Sequence, residues 1–308
     1  IMQQLVVVGS TNMDLIVRLS HLPQPGETVG DAEFSQAHGG KGANQAVAAA
    51  RAGARVGFIS SVGNDLFGKS MLQEFGKEGI NTDYVMQSAD KASGTAFIWV
   101  DAKGENSIAV SPGANYALTP DYIDECRFMI SSADLILLQL EIPFETVEYL
   151  LELARDLGKK VILNPAPARK LERKHLKQLF CLVVNETEAS LISGMPVSSK
   201  EESMAAAEAL LQMGPQLVIV TLGSKGLYYL SRREKGSVEA YRVQAVDTTA
   251  AGDVFCGVLA ASLLQQMKLT EAIKHANAAA ALSVTRHGAQ PSAPSRHEIQ
   301  HFINQHEF

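Results

Sequence analysis

The chain has 308 residues, of which 46% are hydrophobic and 19% are charged, and its formal net charge is −6. A chain of this length and hydrophobicity buries a core of its own, which excludes an intrinsically disordered protein. The acidic surplus disfavours nucleic acid as the main partner, because binding to its phosphates requires basic residues. No apolar run reaches the roughly 20 residues of a membrane span, so we expect no membrane partner.

Short apolar runs alternate with amphipathic, helix-length segments along most of the chain. Continuous apolar runs predict strands that are buried on both faces, and they occur at residues 5–8, 56–59, 135–138, 161–163, 182–184 and 217–220. Helices are predicted at residues 144–157, 200–213, 252–267, 270–285 and 295–304. This alternation predicts an α/β fold: a three-layer, Rossmann-like arrangement with a central, mostly parallel sheet flanked by helices.

Two pairs of strand-like segments interrupt this alternation. Residues 14–19 and 28–36 form the first pair, and residues 94–101 and 106–110 form the second. Neither pair contains a helix, so each predicts a hairpin. These strands cannot belong to a sheet covered by helices on both faces, and they predict a small separate sheet that acts as a lid. We therefore expect a single domain, residues 1–308, with lid strands inserted at about 12–37 and 93–111.

A glycine-rich segment with the sequence GGKGANQA, residues 39–46, precedes an alanine-rich helix. Gly39 and Gly40 allow backbone geometry that other residues avoid. Lys41 and Asn44 lie three residues apart at the helix start, so both side chains can face one ligand. One cation and one amide suit a polyhydroxylated ligand, although a glycine turn into a packed helix explains the same pattern.

Residues 63–70, with the sequence GNDLFGKS, match the Walker A pattern of nucleotide-binding loops. The match is poor in chemistry, because Leu66 and Phe67 stand where small residues must cradle phosphates, and Asp65 would repel them. We predict an ordinary turn that leads into a surface helix. The sequence contains no G-x-G-x-x-G segment, which disfavours a dinucleotide-dependent dehydrogenase.

Two further polar segments follow predicted strands, where α/β proteins bind ligands. Residues 221–226, TLGSKG, are glycine-rich, although a plain turn is an equally simple interpretation. Asn185 and Glu188 could order metal-bound water, and Asn185 could equally serve as a helix N-cap.

The most specific segment, residues 247–253, has the sequence DTTAAGD and lies between a strand-like run at 241–246 and an apolar helix. Small residues let a phosphate approach the backbone, and the unpaired N–H groups at a helix start favour an anion. A carboxylate at Asp253 would repel that anion unless it accepts a proton from an attacking hydroxyl. The alternative is an Asp that only complements the helix dipole.

Together these motifs resemble the ribokinase family, the PfkB-type carbohydrate kinases. The resemblance runs nearly end to end and includes GSTNMD at 9–14, GGKGANQ at 39–45, NPAPA at 164–168, NETE at 185–188, TLGSKG at 221–226 and DTTAAGD at 247–253. It implies a ribokinase-like fold. The activity it implies is ATP-dependent phosphorylation of the 5-hydroxyl of D-ribose, giving D-ribose 5-phosphate.

The resemblance also implies roles for individual residues. Asp253 would be the catalytic base, and the backbone of Ala250, Ala251 and Gly252 would form an anion hole for the transferred phosphoryl group. The sugar, together with Asp253, would be held by Asn12, Met13, Asp14, Gly40, Lys41, Gly42, Ala43, Asn44 and Glu141. ATP would be bound by Asn185, Thr221, Leu222, Gly223, Ser224, Lys225, Gly226, Gly252 and Asn277. Many family members have glycine where this chain has Ala250, and alanine should be tolerated there if its φ is negative.

Two metal ions are implied in the same way. Glu188 would organise Mg²⁺ through water, as this ion usually retains part of its hydration shell. A monovalent cation, K⁺, would activate the enzyme from a site formed by Asp247, Thr249, Ser283, Arg286, Gly288 and Ser292. The lid sheet of the family often pairs two subunits, so we also expect a homodimer.

Cellular location is predicted from the cysteines and the N-terminus. Cys126, Cys181 and Cys256 are odd in number and far apart, which indicates neither a disulfide framework nor a zinc site, so we interpret them as buried thiols. The first ten residues show no basic leader followed by an apolar stretch. We therefore expect a cytoplasmic protein.

Three alternatives remain open at this point. The substrate could be another small sugar, such as 2-deoxyribose or fructose, and Asn12 and Asp14 would govern that choice. The chain could be a P-loop NTPase that acts as a switch and depends on Lys69. It could also be a sugar-binding regulatory protein without catalysis, although the presence of Asp253 disfavours this.

Overall fold

A nine-stranded sheet forms the centre of the molecule in the computed structural model, which describes residues 3–306. Its strand order is β13-β12-β11-β10-β9-β8-β1-β4-β5, and a second sheet has the order β3-β2-β6-β7. The strands are β1 (Gln4–Val8), β2 (Asn12–Arg18), β3 (Glu33–Gly39), β4 (Arg55–Gly63), β5 (Val85–Ser88), β6 (Gly94–Val100), β7 (Asn106–Ser111), β8 (Leu135–Leu138), β9 (Lys160–Leu163), β10 (Cys181–Asn185), β11 (Leu217–Thr221), β12 (Leu227–Ser231) and β13 (Lys235–Val238).

Helices cover both faces of the large sheet, as the predicted three-layer fold requires. They are α1 (Lys41–Arg51), α2 (Leu66–Lys77), α3 (Pro120–Glu125), α4 (Arg127–Ser132), α5 (Phe144–Asp156), α6 (Arg173–Leu176), α7 (Glu186–Ser193), α8 (Lys200–Gln212), α9 (Ala251–Leu264), α10 (Leu269–Ser283) and α11 (Arg296–His306). All six strands predicted from continuous apolar runs and all five predicted helices are present. Among residues 3–306, no helix is both long and apolar enough to cross a membrane.

The continuous apolar runs are explained by two separate cores. In β1, Leu5 and Val7 join a core with α1, α2, α9 and α10 on one side of the sheet. Val6 and Val8 join the core on the opposite side, with helices that include α5 and α8. Successive side chains of a strand point to opposite faces, so a strand buried on both faces has no polar position.

The smaller sheet consists of the two predicted hairpins. β2 pairs with β3, and β6 pairs with β7, both in antiparallel orientation. The hairpins are joined by parallel pairing of β2 with β6, in which Asn12 lies opposite Gly94 and Asp14 opposite Ala96. The pairing of β2 with β3 sets Asn12 opposite Gly39, and it thus places Asn12 and Asp14 beside the glycine-rich segment that leads into α1.

One predicted strand was wrong, and the edge strand β5 and one hairpin were missed. Residues 241–246 form no strand. They follow β13, the edge strand of the sheet, and Tyr241, Val243 and Ala245 line a pocket instead of pairing with it. The hairpin of β12 and β13 extends the large sheet in antiparallel orientation beyond β11. The three cysteines are buried free thiols, as the sequence predicts.

Candidate active site

Asp253 lies buried in the first turn of α9 and is held by two amides from α1. The side chain of Asn44 donates to Oδ2 at 3.0 Å, and that of Gln45 donates to Oδ1 at 3.0 Å. The helices approach closely at Gly257, where any Cβ would collide with the backbone carbonyl of Gln45. The packing of α1 on α9 therefore brings the glycine-rich segment and Asp253 together, as expected for parts of one site.

The electrostatic surroundings of Asp253 suit a proton acceptor. Burial raises the pKa of its carboxyl, while the charge of Lys41 and the hydrogen bonds from Asn44 and Gln45 oppose the rise, and the net shift is upward. Burial lowers the pKa of Lys41, but the carboxylates of Asp253, Glu141 and Glu188 outweigh it and raise this pKa overall. Lys41 therefore stays charged, and Asp253 becomes a stronger base than an exposed aspartate.

Gly40 sets the position of Lys41. Its φ is 88°, and a Cβ there would lie 2.7 Å from Cα of Thr11, so the start of α1 packs directly on the chain before β2. Glu141 fixes this arrangement, because its Oε2 accepts from the backbone N–H of Lys41 at 2.9 Å and from the hydroxyl of Ser10 at 2.6 Å. Met13, Gly42 and Ala43 are also buried here.

Asn12 and Asp14 lie on β2 at the same place. Asn115 donates from Nδ2 to Oδ1 of Asn12 at 2.7 Å, which leaves the amide N–H₂ of Asn12 for another partner. Asp14 is largely buried, and no residue from 3 to 306 donates a hydrogen bond to its carboxylate. Burial, with a smaller contribution from the charge of Glu141, raises the pKa of Asp14 to about 7. A buried carboxylate without donors is costly, which indicates that a ligand supplies them.

A small polar pocket of about 200 Å³ lies beside Asp253. Its walls include Lys41, Asn164, Asn185, Glu188 and the α9 start at Ala250, Ala251 and Gly252. Asn185 is the N-cap of α7: its Oδ1 accepts from the N–H of Glu188 at 2.8 Å, and Glu188 Oε2 accepts from the N–H of Asn185 at 2.9 Å. The capping interpretation is therefore confirmed, and the capped pair also faces the pocket. Burial raises the pKa of Glu188.

A more apolar pocket of about 290 Å³ adjoins the polar one. Thr221, Gly223, Ser224, Gly226 and Asn277, which were assigned to ATP from the sequence, line it together. The two pockets share residues of α9, because Ala251, Gly252 and Phe255 line both. Leu222 and Lys225 do not line it. Leu222 is buried, and the Lys225 ammonium lies against the carbonyl of Ser198 at 3.3 Å.

Asp247 joins two loops at the back of the anion-hole segment. Its Oδ1 accepts from the N–H of Thr249 at 2.9 Å, and its Oδ2 accepts from the N–H of Gly288 at 2.9 Å. Of the other predicted cation ligands, Ser283 accepts through its carbonyl from the N–H of Arg286, and the Ser292 hydroxyl donates to Ala289. Between residues 3 and 306 there is no group of three His, Cys, Asp or Glu side chains that could hold a metal ion.

The condition under which alanine is unstrained at position 250 is not met, because the φ of Ala250 is +60°, in the left-handed region. Ala250 is the N-cap of α9, and its left-handed conformation turns the chain into the helix beside the polar pocket, which Ala250, Ala251 and Gly252 line. Alanine pays roughly 1–2 kcal/mol for that conformation, whereas glycine adopts it freely.

Ala250→Gly is therefore expected to stabilise the protein. Relief of the backbone strain exceeds the larger entropy of glycine in the unfolded chain, and we expect a gain of about 0.5–1 kcal/mol in the free energy of unfolding, measured by urea denaturation. Ala260→Gly, inside α9, is the control and should lose about 1 kcal/mol or more. Destabilisation by Ala250→Gly would contradict the strain argument.

The Walker A match is not a phosphate site. Asp65 caps α2 and occupies the loop with its own carboxylate, which accepts from the N–H of Gly68 at 2.8 Å and the hydroxyl of Ser93 at 2.7 Å. Lys69 is exposed. The turn predicted from the sequence agrees with this geometry.

Several buried polar residues of the site were not predicted to have a role. Gln45 and Asn164 stood in recognised motifs without an assigned function, and Asn115 and Gln139 were not singled out. The apolar wall at Ala280, Ala281 and Val284 was also missed. No local pattern marks such residues. Most of their hydrogen bonds join residues that are more than 90 positions apart in the chain.

The fold and this site are those of a carbohydrate kinase, a phosphotransferase with an alcohol group as acceptor. Residues 2–296 match the model of the family described as pfkB family carbohydrate kinase, and the chain belongs to that family.

The similar proteins within this family include ribokinases and a deoxyribokinase. The chain is 41% identical to the ribokinase of Haemophilus influenzae, over 97% of this chain and 98% of that protein. It is 40% identical to the deoxyribokinase of Salmonella typhi, over 98% and 99% of the two chains. The structure of Arabidopsis thaliana ribokinase complexed with ribose and ATP is similar with a TM-score of 0.93 at 32% identity, and the match covers 100% of both chains.

Proposed function

We propose that the protein transfers the γ-phosphoryl group of ATP to the 5-hydroxyl of D-ribose. One observation carries this proposal: a buried carboxylate, Asp253, lies at the start of α9, between side chains suited to a sugar and a pocket suited to a nucleotide. The relatives named ribokinase support the choice of sugar.

Asp253 is the proposed base. It accepts the proton of the 5-hydroxyl as this oxygen attacks the phosphorus atom. The N–H groups of Ala251 and Gly252, at the start of α9 beside the polar pocket, stabilise the charge on the transferred group as an anion hole. Lys41 adds a positive charge within the same pocket.

The sugar is held by the residues around Asp14. Asp14 accepts hydroxyl protons, Asn12 donates through its free amide N–H₂, and Asn44, whose buried Oδ1 lacks a partner in the described structure, accepts one more. Glu141 and the backbone at Met13 and Gly40, Gly42 and Ala43 shape the remaining walls. Asp14, Asn12 and Asn44 each have a donor or acceptor without a partner among the described residues. The hydroxyl groups of the sugar would supply these missing hydrogen bonds.

The nucleotide occupies the larger pocket. Thr221, Gly223, Ser224 and Gly226 lie along its polar side, with Asn185 at the phosphate end and Asn277 beside the base. Leu222 and Lys225 belong to the same loop but do not line the pocket: Leu222 is buried, and Lys225 contacts Ser198. Mg²⁺, bound with ATP, neutralises charge on the phosphates. Glu188 suits its hydration shell, because cap formation uses Oε2 while Oε1 has no donor among residues 3–306.

A K⁺ site behind the anion hole is part of the proposal. Burial raises the pKa of Asp247, but hydrogen bonds from Thr249 and Gly288 outweigh it and lower this pKa, so the carboxylate is ionised. An ionised carboxylate beside main-chain oxygens suits a monovalent cation. Thr249, Ser283, Arg286, Gly288 and Ser292 supply the other oxygens, and the cation would fix the turn that contains Ala250.

We further propose a single domain, residues 1–308, in the cytoplasm, with the small sheet as a lid that also forms a homodimer. The register places Leu15, Val17, Phe34, Phe97 and Trp99 on one face of the sheet, opposite to the face of Asp14. Phe34 is 65% exposed and Phe97 is 40% exposed. An apolar face of this kind favours burial against a second copy.

Phe34→Glu is expected to abolish the dimer, because it places a charge in the apolar face. Analytical ultracentrifugation should show a dimer for the original chain and a monomer for the variant. Phe128→Glu is the control, since Phe128 is 77% exposed on α4, outside the lid, and should leave the dimer intact. A monomeric original chain, or a dimeric Phe34→Glu variant, contradicts this assignment.

A 2-deoxyribose kinase is the second candidate, favoured by the 40% identity to the Salmonella typhi deoxyribokinase. The two differ by one sugar hydroxyl, and a site built to pair that hydroxyl discriminates against the sugar that lacks it.

A sugar panel tests the proposed function. ADP release from Mg-ATP is measured with D-ribose, 2-deoxyribose and fructose, each with and without K⁺. We expect the highest kcat/KM with D-ribose and a higher rate with K⁺. A preference for 2-deoxyribose supports the second candidate. A rate that does not change with K⁺ contradicts the proposed cation site. No turnover with any of the sugars refutes the proposed sugar-kinase activity.

A further inference from the structure

Gln45 is the most deeply buried side chain that touches Asp253. It is 0% exposed, so it has no surface with which to contact the sugar or the nucleotide directly. Its Nε2 donates to Oδ1 of Asp253 at 3.0 Å. Asn44, the other donor to Asp253, differs in that its Oδ1 has no partner in the described structure and is left for a ligand.

The orientation of the Gln45 amide is fixed by its neighbours. Gln139 donates from Nε2 to Oε1 of Gln45 at 2.6 Å, so Nε2 of Gln45 must point the other way, toward Asp253. Nε2 also donates to Oδ1 of Asn164 at 3.2 Å, and Asn164 is itself fixed by its bond to the Val183 carbonyl at 3.1 Å. Gly9 provides the space for Gln139, because a Cβ at Gly9 would collide with Oε1 of Gln139.

We propose that Gln45 is a positioning residue: fixed by Gln139 and Asn164, it holds the Asp253 carboxylate in the orientation in which it accepts the proton of the sugar hydroxyl. This inference rests on the proposed kinase function. The bond from Gln45 to Asp253 is charge-assisted, and it holds one carboxylate oxygen while Asn44 holds the other. Without Gln45, the carboxylate can rotate about its bond to Cβ and loses a donor that favours its ionised form.

Gln45→Met tests this role, because methionine keeps the volume of the side chain and removes all three hydrogen bonds of the amide. We expect kcat to fall about 10- to 100-fold, as for other small misplacements of a catalytic group. The KM values for sugar and ATP should stay within about twofold. The acid limb of the kcat profile should move to higher pH, with Lys41, Glu141, Glu188 and Cys256 as the other ionisable groups that act on Asp253 or share its surroundings.

Two further variants make the result specific. Gln139→Met removes the bond that orients Gln45 without touching Asp253, and it should move kcat and the acid limb in the same direction by a smaller amount. Gln265→Met is the control, because Gln265 joins the same two helices at their other end, donating to the Ala52 carbonyl at 2.9 Å. It should leave kcat and the pH profile unchanged.

The outcomes separate this inference from the proposed function. If the original chain phosphorylates no sugar, the proposed function fails and this inference fails with it. If the original chain is active and a folded Gln45→Met variant keeps its kcat and pH profile, only the positioning role is overturned. Should Gln45→Met not fold, an unchanged kcat and pH profile in Gln139→Met overturns it instead.

Discussion

Asp253→Asn is expected to lower kcat about 10²- to 10⁴-fold, the usual contribution of a general base. Asparagine cannot accept the proton of the attacking hydroxyl. The new amide also places an N–H₂ group against the N–H₂ donor of either Asn44 or Gln45. Because two donors then face each other in a buried site, the folding of the variant must be verified. Steady-state kinetics with Mg-ATP and D-ribose measure the loss, and calorimetric titration should show that both substrates still bind.

Asp121→Asn is the matched control for Asp253. Asp121 is an exposed aspartate in the first turn of α3, where it complements the helix dipole and touches no ligand pocket. Its replacement should leave kcat within about twofold. Full turnover by a folded Asp253→Asn variant would reduce Asp253 to the same dipole role and refute the assigned base.

Asp14→Asn is expected to weaken sugar binding about 10- to 100-fold, since it removes charge-assisted hydrogen bonds to hydroxyl groups in a buried site. ATP binding should not change, because Asp14 lies outside the nucleotide pocket. Titration of D-ribose at several pH values measures both effects. Asp31→Asn, in the exposed connection of the lid hairpin, is the control and should bind the sugar normally.

The raised pKa of Asp14 gives this binding a pH dependence. With a pKa of about 7, the carboxyl is largely protonated below that value, and the sugar must compete with the proton. Sugar affinity should therefore rise about tenfold per pH unit up to about pH 7 and level off above it. The raised pKa also makes the stability of the unliganded protein depend on pH. The contribution of Asp14 to the free energy of unfolding is fully present at low pH and is lost as pH rises from about 4 to 7. Asp14→Asn should thus be the more stable chain at pH 8, and a flat affinity profile in the original chain would contradict the assignment.

The sequence predicted the inner strands of the central sheet well because these parallel strands are buried on both faces, whereas the partly exposed edge strand β5 was missed. A run such as residues 5–8 then has no other stable placement. The segment at 241–246 alternates apolar and polar residues, as a strand can, but it follows the edge strand β13 and its apolar side chains line a pocket instead of pairing with that strand. The sign of φ at Ala250 was equally inaccessible, since alanine normally avoids the left-handed region and only the geometry of the turn imposes it.

For the site, local motifs located Asp253, Lys41 and Asn44 but not the groups that hold them. Gln45 and Gln139 are 94 residues apart, and Gln45 and Asp253 are 208 apart. Their contacts arise from helix packing and leave no local pattern. The apolar wall of the nucleotide pocket is assembled in the same way from α9, α10 and the segment after β13.

The position of the transferred phosphoryl group tests the central claim most directly. The purified chain is incubated with Mg-ATP and D-ribose, and the products are followed by ³¹P NMR, with Asp253→Asn in parallel. We predict a single sugar product, D-ribose 5-phosphate, formed in the same amount as ADP, and almost none with the variant. Inorganic phosphate as the main product, or equal product formation by a folded Asp253→Asn variant, would contradict a sugar kinase that uses Asp253 as its base.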